Sequence, residues 1–125
     1  LDNWHAPAAI SIDFAVIAAA IFATHSLGWI VYPISIVVIG SRQRALSTMV
    51  HEAAHGTLTR NNRFARILST VFSGYLVFSV LNAYKASHVM CHHGRFGDPE
   101  FDTDYQYMLE KGGTTYAMSE NISGK

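Results

Sequence analysis

The sequence predicts an all-α integral membrane chain: a transmembrane helical hairpin over residues 6–40, followed by a cytoplasmic histidine-rich helical cap over 41–111. Three observations carry this. Half of the residues are hydrophobic and only 14% are charged, against about a quarter in soluble domains. All nine Lys and Arg residues lie at or after Arg42, which marks that side of the membrane as cytoplasmic. Five of the seven histidines sit in two short boxes, His51–His55 and His88–His93. The net charge is zero, so nothing in the sequence argues for a nucleic-acid partner.

From Ala6 to Gly40 the charge-capable side chains are Asp13 and His25. This stretch exceeds the roughly 20 residues of one crossing, and His25-Ser26 with Gly28 interrupts it near its middle. The expected hairpin is a helix over Ala6–Thr24, a short turn, and a second helix from about Leu27, with Pro33 tolerated inside it. A single long tilted span is the alternative. Asp13 falls near one end of its span, within reach of headgroups.

No Gly or Pro interrupts Ser41–His55, so the second helix is expected to run on into the cytoplasm and end at Asn61-Asn62. His51 would then stand roughly 13 Å beyond Arg42. Arg44, Thr48, His51, Glu52, His55 and Thr59 form a narrow polar stripe, expected to face inward. Residues 67–81 carry no charge and would make a helix of about 22 Å, short of the roughly 30 Å hydrocarbon core. They are expected to be interfacial, re-entrant or buried, with a bend at Gly74. The run Gly94–Pro99 reads as a loop. The tail from Gly112 shows no trustworthy periodicity.

On an α-helix, residues four apart share a face, so His51 can meet His55 and His88 can meet His92. His93 would be rotated by about 100° from His92. Imidazole is the commonest metal ligand and suits zinc, iron, copper and nickel. Five imidazoles exceed one tetrahedral site with an open position, which points to two metals, or to one metal with spare ligands. His51-Glu52-Ala53-Ala54-His55 also matches the H-E-x-x-H of zinc proteases, with Glu52 as general base. Leu58 and Asn61 stand where a metzincin needs its glycine and last histidine. A zinc membrane metalloprotease drawing an acidic ligand from Asp98, Asp102 or Asp104 stays open as the other class, although it leaves three histidines unexplained.

The two boxes taken together, H-x3-H and then H-x3-H-H behind a hydrophobic hairpin, resemble the membrane fatty-acid desaturase and hydroxylase superfamily. The acidic run from Gly97 to Asp104 is similar to what trails that family's second box. The resemblance implies that His51, His55, His88, His92 and His93 ligate a non-haem centre of two irons at the cytoplasmic face. It implies an O2-dependent oxidoreductase acting on a lipid acyl chain, first of all a fatty-acid desaturase. A lipid, carotenoid or alkane hydroxylase is the alternative. Electrons would come from a ferredoxin or a cytochrome b5-type protein. The family's third box is missing, since no histidine follows His93; a fragment of a longer enzyme is expected, and a degenerate relative is the other reading.

Smaller candidates have plainer roles beside the functional ones. Glu52 would hold a ligand imidazole in orientation. Asp98, Asp102 and Asp104 would either support ligand histidines or cap the loop, and capping is favoured. His5 and His25 are expected to stand outside the site. Cys91 is expected to be a small buried residue; being unpaired, it points to a reducing compartment.

Overall fold

A computed structural model describes residues 1–111, so the tail from Gly112 lies outside the described residues. Among these the chain is helical, with no strand. It forms two compact units, Leu1–Tyr84 and the remainder from Lys85.

The first unit is built on two long helices, α1 (His5–Leu27) and α2 (Tyr32–His55). The Asp2 carboxylate accepts the Trp4 and His5 N–H groups at 3.0 Å and so starts α1. The His5 ring pairs with the same carboxylate and stacks on Trp4, which gives this histidine a structural task. Gly28, at φ 77°, ends α1, and its N–H donates to the Thr24 carbonyl. A 3₁₀ turn over Trp29–Val31 makes the corner.

The second helix therefore starts about five residues later than the hydropathy suggests. The reason is Pro33, which sits in its first turn. There the missing N–H costs nothing and the fixed φ favours initiation, so it does not interrupt a span.

Polar groups key the two helices together. The Thr24 and Ser35 hydroxyls hydrogen-bond at 2.7 Å, and Ser35 Oγ donates to the Ala20 carbonyl. Arg42 Nη1 donates to Asp13 Oδ1 at 3.2 Å, with the Asp13 side chain only 6% exposed. Asp13 is thus a paired, buried carboxylate rather than one open to headgroups.

Leu46, Val50 and Ala54 form the buried face of α2, packed with Ala6 and Ile10 of α1 and with Leu68. The stripe facing the core is therefore apolar, with half-buried His51 and exposed His55 at its edge. Gly56, at φ 75°, caps α2 immediately after His55, because glycine enters the left-handed region without a Cβ penalty. Thr59 consequently lies outside the helical stripe; it is buried, and its hydroxyl donates to the Asn61 carbonyl. Asn61 begins the next helix, α3 (Asn62–Ile67), by accepting the Arg63 and Phe64 N–H groups. The amide of Asn61 also reaches Asn3, and that of Arg60 reaches Asp2. These contacts tie the start of α1 to the loop that follows α2.

Residues 67–81 are a broken helical path that changes winding at Gly74, where the bend was expected. A π turn over Leu68–Ser73 leads to a 3₁₀ turn over Gly74–Val77 and then to Phe78 at φ 54°. Gly74 lies at the close approach: a Cβ there would stand 2.5 Å from the Ser79 carbonyl oxygen and 2.8 Å from that of Ser69. A short helix, α4 (Leu81–Tyr84), closes the unit.

The second unit comprises a π-wound segment over Lys85–His93, a loop, and α5 (Thr103–Glu110). Among the described residues, α1 is the one unbent helix long and apolar enough to cross a membrane; its 23 residues span about 34 Å.

Removing one partner of a buried ion pair strands the other. Arg42→Ala should lower stability by about 1–3 kcal/mol, less than a fully buried pair would because the Arg42 side chain is 36% exposed. Asp13→Leu with Arg42→Leu should recover most of that loss. Unfolding of the single and double variants in detergent would measure the coupling.

Candidate metal centre

In the first unit His51 and His55 occupy successive turns of α2, with ring centroids 4.6 Å apart. This is the i, i+4 proximity expected of an α-helix. The Glu52 carboxylate has one oxygen 3.6 Å from His51 Nδ1, while its other oxygen accepts the Thr57 hydroxyl. Thr57 can reach it because Gly56 turns the chain back; its own N–H donates to the Glu52 carbonyl at 2.9 Å. Tyr84 lies edge-on to His51 at 6.2 Å.

In the second unit His88, His92 and His93 come together, by a route that α-helical spacing does not allow. The backbone over Lys85–His93 is wound as a π-helix, whose i→i+5 hydrogen bonds bring residues five apart into register. His93 is therefore not rotated away from His88. Their Nε2 atoms are 3.2 Å apart, and the centroids of His92 lie 5.5 Å from His88 and 5.2 Å from His93. Gly94 closes the winding by donating its N–H to the Val89 carbonyl. A Cβ on Gly94 would meet the Met90 carbonyl oxygen at 2.4 Å.

The acidic run divides its tasks. Asp98 caps the loop, accepting the Glu100 and Phe101 N–H groups. Asp102 caps α5, accepting the Asp104 and Tyr105 N–H groups, and also binds His92 Nδ1 at 2.9 Å. Burial pushes the Asp102 carboxyl up; the Tyr105 and Gly97 amides and the His92 ring outweigh it and hold it down at about 2. Asp104 Oδ2 lies 3.6 Å from His88 Nδ1, too far for a hydrogen bond.

The donor chemistry fits a first-row transition metal. Two nitrogens at about 2.1 Å from one ion, at angles between 90° and 109°, stand roughly 3.0–3.4 Å apart. The His88–His93 separation falls in that range. His51 and His55 offer ligand nitrogens within 4.8 Å of each other on α2. All-imidazole donors suit iron, as they do zinc, copper and nickel.

Comparison with known proteins narrows the choice. Residues 27–119 match the fatty acid desaturase family, a span that holds both histidine boxes and the acidic run. The chain belongs to that family. It is also similar to the dihydrorhizobitoxine desaturase of Bradyrhizobium elkanii, at 40% identity over 111 residues, which are 89% of this chain and 32% of that protein. The chain thus spans about a third of that curated relative's length. No solved structure matches it.

The π winding and its closure at Gly94 are not visible in the sequence, which permits an α-helix there. Replacing Gly94 with Ala should force the His93 turn to rewind and separate it from His88. In the intact gene product, Co2+ affinity should then fall by about 10–100-fold, the scale of a disturbed ligand environment. Titration followed by visible absorbance would read this.

Proposed function

We propose that this chain is the part of an O2-dependent, non-haem di-iron oxidoreductase that carries its first two histidine boxes, and that the enzyme desaturates a lipid acyl chain. The carrying observation is the gathering of His88, His92 and His93 within a segment matched by the fatty acid desaturase family. His51 and His55 complete the set of proposed ligands. Bound iron would supply the O2 activation needed to take hydrogen from an unactivated C–H bond. The chain's own contribution is to hold an imidazole in orientation, through Asp102 on His92, while Glu52, itself held by Thr57, places a carboxylate 3.6 Å from the His51 ring. Electrons would arrive from a ferredoxin or a cytochrome b5-type protein.

The hairpin suits a membrane setting. Ile12, Ile21, Phe22, Ile34, Ile36 and Val37 are exposed along it, and Trp29 and Tyr32 at its corner are exposed as well, where an aromatic belt would meet the far interface. The Asp13–Arg42 pair sits toward the other end, on the side where the Lys and Arg residues accumulate. The boxes are accordingly assigned to the cytoplasmic face.

The substrate has a second reading. The relative from Bradyrhizobium elkanii is named for dihydrorhizobitoxine, and its 40% identity makes that compound the other candidate. Hydroxylation, which the same ligand set supports, is the alternative outcome on either substrate.

The intact gene product is expected to bind two irons, and Ala at His51, His55, His88, His92 or His93 should abolish turnover. Glu52→Gln should cost about 10–100-fold, since its amide oxygen still accepts from Thr57. Elemental analysis finding tightly held zinc without iron would sink this reading. Assays on an acyl lipid and on dihydrorhizobitoxine, with product analysis for a double bond or an alcohol, separate the substrate and reaction readings. Topology has its own check. In a Cys91-substituted background, single cysteines at Ser26 and Asn61 should label from opposite sides of the membrane; labelling from one side would overturn the hairpin.

A further inference from the structure

Asp102 is a fully buried side chain in the second unit, and it does more than an N-cap requires. Its Oδ1 accepts the N–H groups of Asp104 at 3.1 Å and Tyr105 at 3.0 Å. Its Oδ2 accepts the Gly97 N–H at 2.8 Å. Backbone amides are obligate donors, so both carboxylate oxygens act as acceptors. The contact between His92 Nδ1 and Oδ1 at 2.9 Å is then a donation from the ring. That leaves the proton on Nδ1 and the lone pair on Nε2. An imidazole with this polarity is a ligand through Nε2, and its orientation is set by the partner of its other nitrogen.

The competing carboxylate does not meet the requirement. Asp104 Oδ2 is 3.8 Å from His92 Nδ1, beyond hydrogen-bond range, and its side chain is 53% exposed. The edge of the His92 ring is also met by Phe96 at 5.2 Å. Phe96 adjoins Gly97, the residue whose N–H Asp102 holds. One carboxylate therefore ties together the end of the π-wound segment, the loop after it and the first turn of α5.

A cap alone would not call for an acid, because Ser and Asn cap helices about as well as Asp. The reach to both His92 and Gly97 needs two acceptor oxygens on one side chain.

We infer that Asp102 is a positioning residue that fixes His92 as its Nδ1–H tautomer and aims Nε2 at a metal. The metal half of this rests on the desaturase reading of the boxes; the tautomer half does not.

The test uses the intact gene product, metal-free and labelled with 15N-histidine, at a pH where the rings are neutral. The His92 signals are assigned as those lost in His92→Gln. Wild type should show His92 protonated at Nδ1 alone. Asp102→Ser keeps an N-cap but gives up the Gly97 and His92 contacts, so its melting temperature should fall by less than that of Asp102→Ala. Its His92 should nevertheless become a mixture of tautomers, and its Fe2+ and Co2+ affinities should fall by about 10–100-fold. Asp102→Ala should lose both stability and affinity. If Asp102→Ser retains the wild-type tautomer and metal affinity, the residue is only a cap and the inference fails. If the variant does not fold, the wild-type spectrum decides, since a proton on Nε2 of His92 overturns the role. Wild type that holds the Nδ1–H form yet takes up no iron sinks the metal centre and leaves the positioning of His92 standing.

Discussion

The buried pair between Asp13 and Arg42 is the contact on which the first unit depends. Two apolar helices can slide along one another at little cost, since one Leu or Ile contact replaces another. A carboxylate buried among them cannot, because leaving it unpaired is expensive. The pair sets the height of α2 against α1, and the Thr24–Ser35 hydroxyl contact repeats that register near the corner. Once the register is set, the start of α1 comes level with the end of α2, and Asp2 and Asn3 can satisfy Arg60 and Asn61. The helix that carries His51 and His55 is thus held at both ends.

The second unit solves a different problem. Three imidazoles within six residues, spaced H-x3-H-H, cannot all share one face of an α-helix. Widening the winding brings His93 back beside His88, and a residue without a Cβ is needed where the wide turn closes. Gly94 meets that need. A π-wound backbone is less favourable than an α-helix and occurs mostly in short pieces at functional sites. Here the Asp102 hub fastens the segment to α5 by hydrogen bonds that a simple loop would lack.

The two boxes support their histidines differently. His51 stands on a regular helix whose buried face, Leu46, Val50 and Ala54, anchors it by packing, with Glu52 and Thr57 beside it. His92 stands on an irregular segment whose own residues are not buried, and a buried acid from beyond the loop supplies the anchor. A well-packed helix needs less polar support to hold a ring still, because its rotamer is already restricted.

Some of this was legible in the residues alone. The pairing of two long helices about a turn followed from hydropathy and the punctuation at His25-Ser26 and Gly28, since apolar length and turn chemistry act locally. The family followed from the spacing of the two histidine boxes, and the break within 67–81 from Gly74. The start of α2 and the role of Asn61 needed closer attention to capping, which is also local. What tertiary structure alone decided was pairwise. Asp13 finds Arg42 across 29 positions, and Asp102 finds His92 across a loop whose closure depends on Gly97 and Asp98. The winding of 85–93 belongs with these, because the sequence there permits an α-helix. Composition and periodicity report what each residue prefers near its neighbours; which buried acid meets which distant base or ring is settled only when the chain has closed on itself.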